Sequence, residues 1–503
     1  MNTVHPIDPE RPIRLSDVDK MLNDPFSLEL DPKAREKIHS CREWLENHLE
    51  RAEHPVYGVN TGFGSLCDTR IEAHALTQLQ ENLIRSHAVG MGEAMPPEVS
   101  RLMLWFKLHA LSKGYSGIRT ETAEALLHLF NSGAAPVVYE FGSLGASGDL
   151  APLAHLVLPL IGEGQLWTEN EGAVDASHWW SAQKDQNFRL GSKEGLALLN
   201  GTQFMSAIGA LALLRSYRIS YWADLIACIS IDAFDARPEP FDERLQMLRK
   251  QPGQAFVAER IRGTLSDSPS FHATKQHVQD PYSFRCIPQV HGAGFQTLQY
   301  VQGVVEREID SVTDNPTIFP GEDVLSGGNF HGQAIALALD QLALAISEWG
   351  NISERRVYQL ISGTRGLPSF LTADPGLHSG LMIPQYTAAS IASKNKSLAM
   401  PASVDSIPSS QNQEDHVSMG ANAATRLLPL IDNVEQILAI ELLSATQALH
   451  LSGRKTSSFL TALIDQYREQ VPVIEGDRIF HHDLQKSWSF IRDTEVDGEL
   501  LGY

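Results

Sequence analysis

Residues 142–155 read GSLGASGDLAPLAH, and the Ala146-Ser147-Gly148 step inside them has the composition for unusual backbone chemistry. With small residues on either side of the serine, the Gly148 nitrogen can approach the Ala146 carbonyl without a side chain in the way. Ring closure there, followed by loss of water from Ser147, would leave an exocyclic alkene conjugated to an imidazolone. This group is an electrophile that no ordinary side chain supplies. The alternative is an ordinary helix start, in which Ser147 or Asp149 caps the helix that follows.

Three further motifs bring polar side chains next to glycines or helix ends. Tyr57 opens YGVNTGFG, where a phenol of lowered pKa could act as an acid or a base, although a packed aromatic residue in a turn is the alternative. His87 lies in SHAVGMG, and a lone histidine is more often structural than functional. Asn200 lies in LNGTQF, directly before an apolar helix that it could cap, or it could present its amide to a ligand.

The segment QDPYSFRC contains Gln279, Tyr282 and Arg285, one at every third position. A helix or a turn would place all three on one side. The guanidinium of Arg285 offers a two-pronged donor that suits a carboxylate. The alternative for the arginine is an ordinary surface ion pair.

Two more segments complete the set of chemically useful side chains. The segment GGNFHG carries Phe330 between glycines. The segment NQEDHVSM places Gln413 and Glu414 directly before two further polar residues. These four side chains cannot all face solvent if the flanking segments are core helices. The combined set fits chemistry on an α-amino acid. An arginine would hold the carboxylate, the electrophile would take the amine, and a base would remove a β-proton.

With these motifs, the chain resembles the aromatic amino-acid lyases that use a methylidene-imidazolone (MIO) prosthetic group, and within them the histidine ammonia-lyases. The resemblance runs roughly from Asp17 to His450, and GSLGASGDL is highly specific for it. It implies a mainly α fold, an elongated helical bundle of the fumarase- and aspartase-like type, in a homotetramer whose active sites draw on three subunits. The MIO group would form autocatalytically from Ala146, Ser147 and Gly148, without an external cofactor or a metal.

The resemblance also implies roles for the remaining motif residues. They are Tyr57 as an acid or base near the β-carbon, Asn200 and Gln279 beside the MIO group and the substrate amine, Tyr282 as a second active-site tyrosine, Arg285 as the carboxylate clamp, and Phe330 as an aromatic residue near the MIO ring.

The choice of substrate depends on His87 and on the Gln413-Glu414 pair, which follow the histidine-specific pattern. A carboxylate at Glu414 suits an imidazole, whose pKa lies near neutrality. The expected reaction converts L-histidine to trans-urocanate and ammonia, the first step of histidine breakdown. His291 and the segment 380–389 depart from that pattern, so a tyrosine or phenylalanine ammonia-lyase or an aminomutase stays an alternative. A helical scaffold without catalysis is an alternative of another class.

Long stretches of helical spacing must position these motifs, whereas strand signals are few and short, such as the one at Pro136–Tyr139. Residues 163–193 lack clean periodicity and are predicted to form a surface excursion. A soft boundary near residue 195 divides a loop-rich, MIO-bearing part (1–195) from a long-helix bundle with a helical C-terminal part (196–503). The predicted long helices cover 204–235, 289–312, 331–362 and 421–452.

Composition narrows the classes of partner and compartment. The 503 residues carry a formal net charge of −21, which argues against nucleic acids and anionic membrane surfaces as partners. Four cysteines without a CxxC pair indicate a reducing compartment. No signal-peptide pattern and no long apolar run is present, so a soluble cytoplasmic protein is expected. The pair His481-His482 lacks the spacing of a metal site.

Overall fold

The computed structural model describes residues 4–51, 59, 61, 75–168, 172–183 and 188–503. Helices dominate these residues, which confirms the prediction of a mainly α fold. The α-helices are α1 (Leu15–Asn23), α2 (Pro32–Arg51), α3 (Leu76–His87), α4 (Pro97–Ser112), α5 (Thr120–Asn131), α6 (Leu150–Val157), α7 (Ala176–Gln183), α8 (Glu194–Leu199), α9 (Gln203–Ala233), α10 (Glu243–Arg249), α11 (Pro252–Thr264), α12 (Pro269–His272), α13 (Tyr282–Arg285), α14 (Ile287–Ile309), α15 (Gln333–Leu360), α16 (Met382–Leu398), α17 (Gly420–Thr425), α18 (Leu427–Ser452), α19 (Ser458–Gln470), α20 (Phe480–Asp493) and α21 (Gly498–Leu501).

The strands of the described residues are short and form small separate sheets. They are β1 (Val4–Ile7), β2 (Ser27–Leu30), β3 (Met91–Ala94), β4 (Ala135–Pro136), β5 (Tyr139–Phe141), β6 (Gln165–Thr168), β7 (Gly172–Asp175), β8 (Thr317–Phe319) and β9 (Asp323–Leu325). β1 pairs with β2 in parallel, whereas the pairings β3–β5, β4–β6–β7 and β8–β9 are antiparallel.

The predicted long helices are observed as α9, α14, α15 and the α17–α18 pair. The strand signal at 136–139 is divided, because Pro136 ends β4 and Tyr139 begins β5. The predicted excursion at 163–193 contains the β6–β7 hairpin and α7.

The described chain divides into two compact units, each made of three segments. The first unit comprises residues 1–211, 302–340 and 401–425, and the second comprises 212–301, 341–400 and 426–503. The division at residue 195 stays a prediction. In the first unit α4 is buried along nearly its whole length and packs against α2, α5 and α6. The apolar run of residues 102–106 covers more than one side of this helix, so the helix must be packed on several sides, which explains this placement.

The core of the second unit is built on α18, which packs against α16 and α20. Glu441 of this helix is fully buried and accepts hydrogen bonds from the Nε (2.6 Å) and Nη2 (2.9 Å) atoms of Arg356. The hydroxyls of Ser230 and Ser353 donate to the same carboxylate, at 2.7 and 2.5 Å. The buried charge is therefore neutralised and fully hydrogen-bonded, as burial of an ion requires.

His291 lies beside this ion pair in the second unit. Its Nδ1 atom is 2.6 Å from Asp224 Oδ1, and its Nε2 atom is 3.3 Å from Arg356 Nη1. Burial lowers the pKa of His291, although the Asp224 carboxylate acts in the opposite direction. His291, which departs from the histidine-specific pattern, therefore belongs to a buried polar network in the core of the second unit.

Candidate active site

The Ala146-Ser147-Gly148 triplet lies in the loop between β5 and α6. Gly148 has a φ angle of +74° and forms a parallel bridge with Gly201. A Cβ atom at Gly148 would lie 2.2 Å from the Gly201 carbonyl oxygen, a contact that real Cβ atoms do not make. Only glycine therefore fits at this position, both for its conformation and for its space.

The side chain of Asp149 caps a helix, but not the one that it precedes. α6 begins at Leu150, and Asp149 stands at its N-cap position as one of the two interpretations predicts, but the Asp149 side chain makes no capping hydrogen bond to α6. The Asp149 carboxylate instead accepts the backbone N–H groups of Phe204 (3.1 Å) and Met205 (3.0 Å), in the first turn of α9. These N–H groups have no partner within their own helix, and the buried carboxylate satisfies them. Burial raises the pKa of Asp149 to about 7.

The hydroxyl of Ser147 donates to Oε1 of Glu414 at 2.8 Å. The other carboxylate oxygen, Oε2, accepts the Ser409 hydroxyl at 2.6 Å, and the Ser409 backbone N–H donates to the Glu414 carbonyl at 3.0 Å. Ser147 and Glu414 are both half-buried. The predicted electrophile precursor and the predicted carboxylate therefore lie at one place in the first unit.

Asn200 holds the backbone of the same serine. Its Nδ2 atom donates to the Ser147 carbonyl oxygen at 2.7 Å. Asn200 ends α8 as its C-cap residue and does not cap α9, which starts three residues later. Among the described residues, the buried Oδ1 atom of Asn200 has no hydrogen-bond partner.

His87 ends α3 within electrostatic range of Glu414. Its Nδ1 atom is 2.8 Å from the Leu83 carbonyl oxygen, so the proton belongs on Nδ1 and Nε2 is left as an acceptor. Burial lowers the pKa of His87, while the Glu414 carboxylate acts to raise it.

The segments that carry Phe330 and Gln413 also belong to the first unit. Phe330 is half-buried, and the N–H of nearby Gly332 donates to the Gly145 carbonyl at 3.4 Å. The Ser418 hydroxyl donates to the same carbonyl at 2.8 Å. Gln413 itself is exposed. The loop that bears the triplet is thus tied to both motif segments.

The remaining motif residues of the described chain lie in the second unit. Tyr282 and Arg285 share the short helix α13, and the Arg285 guanidinium lies 4.7 Å from the centre of the Tyr282 ring. Tyr282 is 70% exposed, Gln279 is exposed, and no carboxylate of the described residues pairs with Arg285. The expected common side is observed for Tyr282 and Arg285, whereas Gln279 precedes the helix. Tyr57 lies outside the described residues.

Buried contacts fix the backbone on which these side chains stand. Asp280 is buried and accepts the backbone N–H of Arg237 at 2.7 Å. The Nη2 atom of Arg365 donates to the Gln279 carbonyl at 3.0 Å. Phe284 stacks on Phe234 at a centroid distance of 4.3 Å. The exposed side chains of Gln279 and Tyr282 therefore extend from a backbone that buried contacts hold in place.

Sequence reasoning missed several residues that contact the candidate site. Ser409 lies in a polar loop without a recognisable spacing, and Ser143, whose hydroxyl donates to Asp149 Oδ1 at 3.1 Å, lies within the GSLGASGDL motif, three residues before Ala146. Within the described ranges, no cluster of His, Cys, Asp or Glu side chains could hold a metal ion. The helices of those ranges include none with the length and apolar content of a membrane span.

Comparisons with known proteins identify the family of the chain. The sequence profile of the family described as "Aromatic amino acid lyase" matches residues 13–469. The histidine ammonia-lyase of Natranaerobius thermophilus is 44% identical over 494 residues, which cover 97% of each chain. That of Bacillus subtilis is 46% identical over 485 residues, covering 96% of this chain and 95% of the relative.

Solved structures give the same result. A crystal structure of histidine ammonia-lyase from Trypanosoma cruzi has a TM-score of 0.90 and 38% identity, covering 98% of this chain and 94% of the other. The tyrosine aminomutase of Streptomyces globisporus has a TM-score of 0.92 and 31% identity, covering 99% and 98%. The chain therefore belongs to the aromatic amino acid lyase family, as its motifs predict.

Proposed function

We propose that this carbon–nitrogen lyase converts L-histidine to trans-urocanate and ammonia. The observation that carries the proposal is the contact between Ser147 and Glu414, with the imidazole of His87 in electrostatic range of the same carboxylate. Relatives that are 44–46% identical over nearly the whole chain and are named histidine ammonia-lyase support the substrate.

The residues around the triplet fit an MIO group formed from Ala146, Ser147 and Gly148. Gly148 leaves no room for a side chain beside Gly201, and the Ser147 carbonyl is held by an amide whose second polar atom, Asn200 Oδ1, is buried without a partner among the described residues. Such a group supplies an electrophilic alkene that accepts the electron pair of the substrate amine. Asn200 then orients the carbonyl of the group and offers Oδ1 to an N–H donor.

Glu414 is the residue that suits a histidine side chain. A carboxylate accepts a hydrogen bond from an imidazole N–H and favours the imidazolium form. The Ser409 hydroxyl holds one carboxylate oxygen, so the other keeps a fixed direction. His87, with Nε2 as an acceptor, adds a second polar group for the substrate ring. Gln413, next to Glu414, is an additional substrate-binding candidate.

The other roles in the proposed reaction fall to Gln279, Tyr282, Arg285 and Tyr57. Arg285 clamps the substrate carboxylate, with Tyr282 and Gln279 beside it, and Tyr57 acts as the base that removes the β-proton. We infer that these groups join the first-unit cluster in a homotetramer whose subunits share each active site. The exposure of Tyr282 and Gln279 and the unpaired guanidinium of Arg285 among the described residues support this inference. A cytoplasmic location fits a soluble enzyme of amino-acid breakdown.

A substrate panel with intact-mass measurement on one sample tests the proposal. With L-histidine we expect the absorbance of urocanate to appear, and with L-tyrosine or L-phenylalanine we expect no comparable product. The mass should be lower than that of the encoded chain by two water molecules. Coumarate, cinnamate or a β-amino acid as the main product would instead assign the protein to a tyrosine or phenylalanine lyase or an aminomutase. A chain of full mass without turnover would support the scaffold alternative.

A further inference from the structure

Lys107 is a buried lysine that the proposed reaction does not use. It lies in the middle of α4, and its side chain is only 1% exposed. Lysine is almost never fully buried unless its ammonium group has partners. Burial lowers the pKa of Lys107 to about 7, although the nearby carboxylates of Asp314 and Asp149 act to raise it.

The partners of Lys107 are backbone carbonyls at the end of α8. Its Nζ atom donates to the carbonyl oxygens of Ala197 at 3.1 Å and Asn200 at 2.7 Å. The last carbonyls of a helix lack partners within the helix, and they carry the negative end of its dipole. An ammonium group satisfies both requirements at this position. Asp314, the carboxylate with the largest electrostatic effect on Lys107, is instead paired with Lys193 at 3.1 Å.

The residues that Lys107 holds are the ones that hold the triplet. The side chain of Asn200 donates to the Ser147 carbonyl at 2.7 Å. The next residue, Gly201, accepts the Asp149 backbone N–H at 2.7 Å and forms the bridge with Gly148. Lys107 therefore binds the backbone of Asn200, and the next residue, Gly201, contacts the backbone of Gly148 and Asp149.

We propose that Lys107 is a positioning residue for the formation of the prosthetic group, an inference that rests on the proposed function. By fixing the backbone of Asn200 and Gly201, it keeps Ser147 and Gly148 in the arrangement from which the ring closes. In that step the Gly148 nitrogen bonds to the Ala146 carbonyl carbon, and the carbonyl oxygen leaves as water with the protons of the Gly148 and Ser147 nitrogens, so that a double bond forms between that carbon and the Ser147 nitrogen. A second water is formed from the Ser147 hydroxyl and its α-proton. A misplacement of about 1 Å in such a reaction costs on the order of 100-fold in rate.

The test uses the full-length chain and the variants Lys107→Met and Lys107→Gln. Methionine removes the charge and all donors at similar volume, and glutamine restores a neutral NH2 group with two N–H donors on a shorter side chain. The matched control is Lys113→Met, directly after α4, where Nζ donates to the Pro9 carbonyl at 3.1 Å and to Asp310 at 2.8 Å without contacting α8. Loss of water is followed by intact mass after a pulse of expression, and folding by circular dichroism.

We expect the wild-type chain and Lys113→Met to lose two water molecules at the same rate. Lys107→Met should retain the helical spectrum and lose water at least tenfold more slowly, with Lys107→Gln in between. On L-histidine, kcat should fall in proportion to the immature fraction, while KM stays unchanged because the matured site is the same.

Three results would overturn the proposal. The first is a folded Lys107→Met or Lys107→Gln chain that matures as fast as the wild type. The second is failure of both variants to fold, which would make Lys107 a residue of the core alone. The third is a wild-type chain of full mass, which overturns the proposed function as well, whereas the first two leave that function intact.

Discussion

The substitution Glu414→Gln tests the assignment of the imidazole partner. Glutamine keeps the shape of the side chain and removes its charge. Before maturation, the amide oxygen of the glutamine can accept a hydrogen bond from one of the Ser147 and Ser409 hydroxyls, and its NH2 group can donate to the other. Once the Ser147 hydroxyl has been lost as water, the contact with Ser409 remains. We therefore expect the free energy of unfolding to change by no more than about 1 kcal/mol.

The effect on turnover follows from the lost charge. Two opposite unit charges about 4 Å apart attract by about 4 kcal/mol at the effective dielectric constant near a protein surface. Because Glu414 is half-buried, solvent weakens this attraction. We therefore expect the substitution to remove about 2–4 kcal/mol of transition-state stabilisation. This loss corresponds to a fall of about 30- to 1,000-fold in kcat/KM for L-histidine. If the carboxylate only accepted a hydrogen bond from a neutral imidazole, the substitution would lower kcat/KM by about tenfold or less.

The assay is the initial rate of urocanate formation, normalised to the fraction of chain that has lost two water molecules. The normalisation is needed because Glu414 contacts Ser147, so the variant also matures in an altered environment. Asp415→Asn is the matched control, since it removes the same charge from an exposed neighbour and should leave the rate near that of the wild type. A matured Glu414→Gln enzyme within about threefold of the wild-type kcat/KM would refute the assignment.

Three other predictions concern the triplet, the buried cap and the core ion pair. Ser147→Ala should fold with an unchanged circular dichroism spectrum and lose nearly all turnover, because no alkene can form; retained activity would be fatal to the mechanism. The pKa of Asp149 is raised to about 7 in the folded chain. Below about pH 4 the carboxyl group is neutral in both the folded and the unfolded chain, so its contribution to the free energy of unfolding is fully present. This contribution is lost as the pH rises through 7. Chemical unfolding should therefore show the wild type losing up to about 4 kcal/mol relative to Asp149→Asn between pH 4 and pH 7, and a constant difference would contradict the burial argument. Arg356→Met should destabilise the chain by about 3–5 kcal/mol because it leaves Glu441 buried without a counter-charge, and Arg356→Met with Glu441→Leu should recover part of the midpoint of thermal unfolding.

The long helices could be predicted from the sequence because burial imposes a period on it. Residues 204–235 and 331–362 predict helices that the structure gives as α9 (Gln203–Ala233) and α15 (Gln333–Leu360), within two residues at each end. The strands were less predictable. Pairing in β4 and β5 depends on partners elsewhere in the chain, so the local signal at 136–139 could not show where each strand stops.

The candidate site was predictable where the side chains themselves carry the chemistry. The triplet, Asn200 and Glu414 stand in short unusual motifs, and the structure brings these three motifs into contact. Which partner each would meet was not predictable, since Ser147 and Glu414 are 267 residues apart. Lys107 gave no signal, because it lies in an apolar helix and acts on backbone carbonyls rather than on another motif.

Asp149 shows why a local rule fails at this site. The capping rule considers only the helix that follows in sequence, and α6 starts one residue later. Folding brings the first turn of α9 to the same carboxylate, where two buried N–H groups would each cost about 1–3 kcal/mol if left unpaired. The Asp149 carboxylate therefore caps α9 and makes no capping hydrogen bond to α6. The contact anchors Asp149, the residue after Gly148, to the long helix α9. The Ser147 side chain is still directed to Glu414.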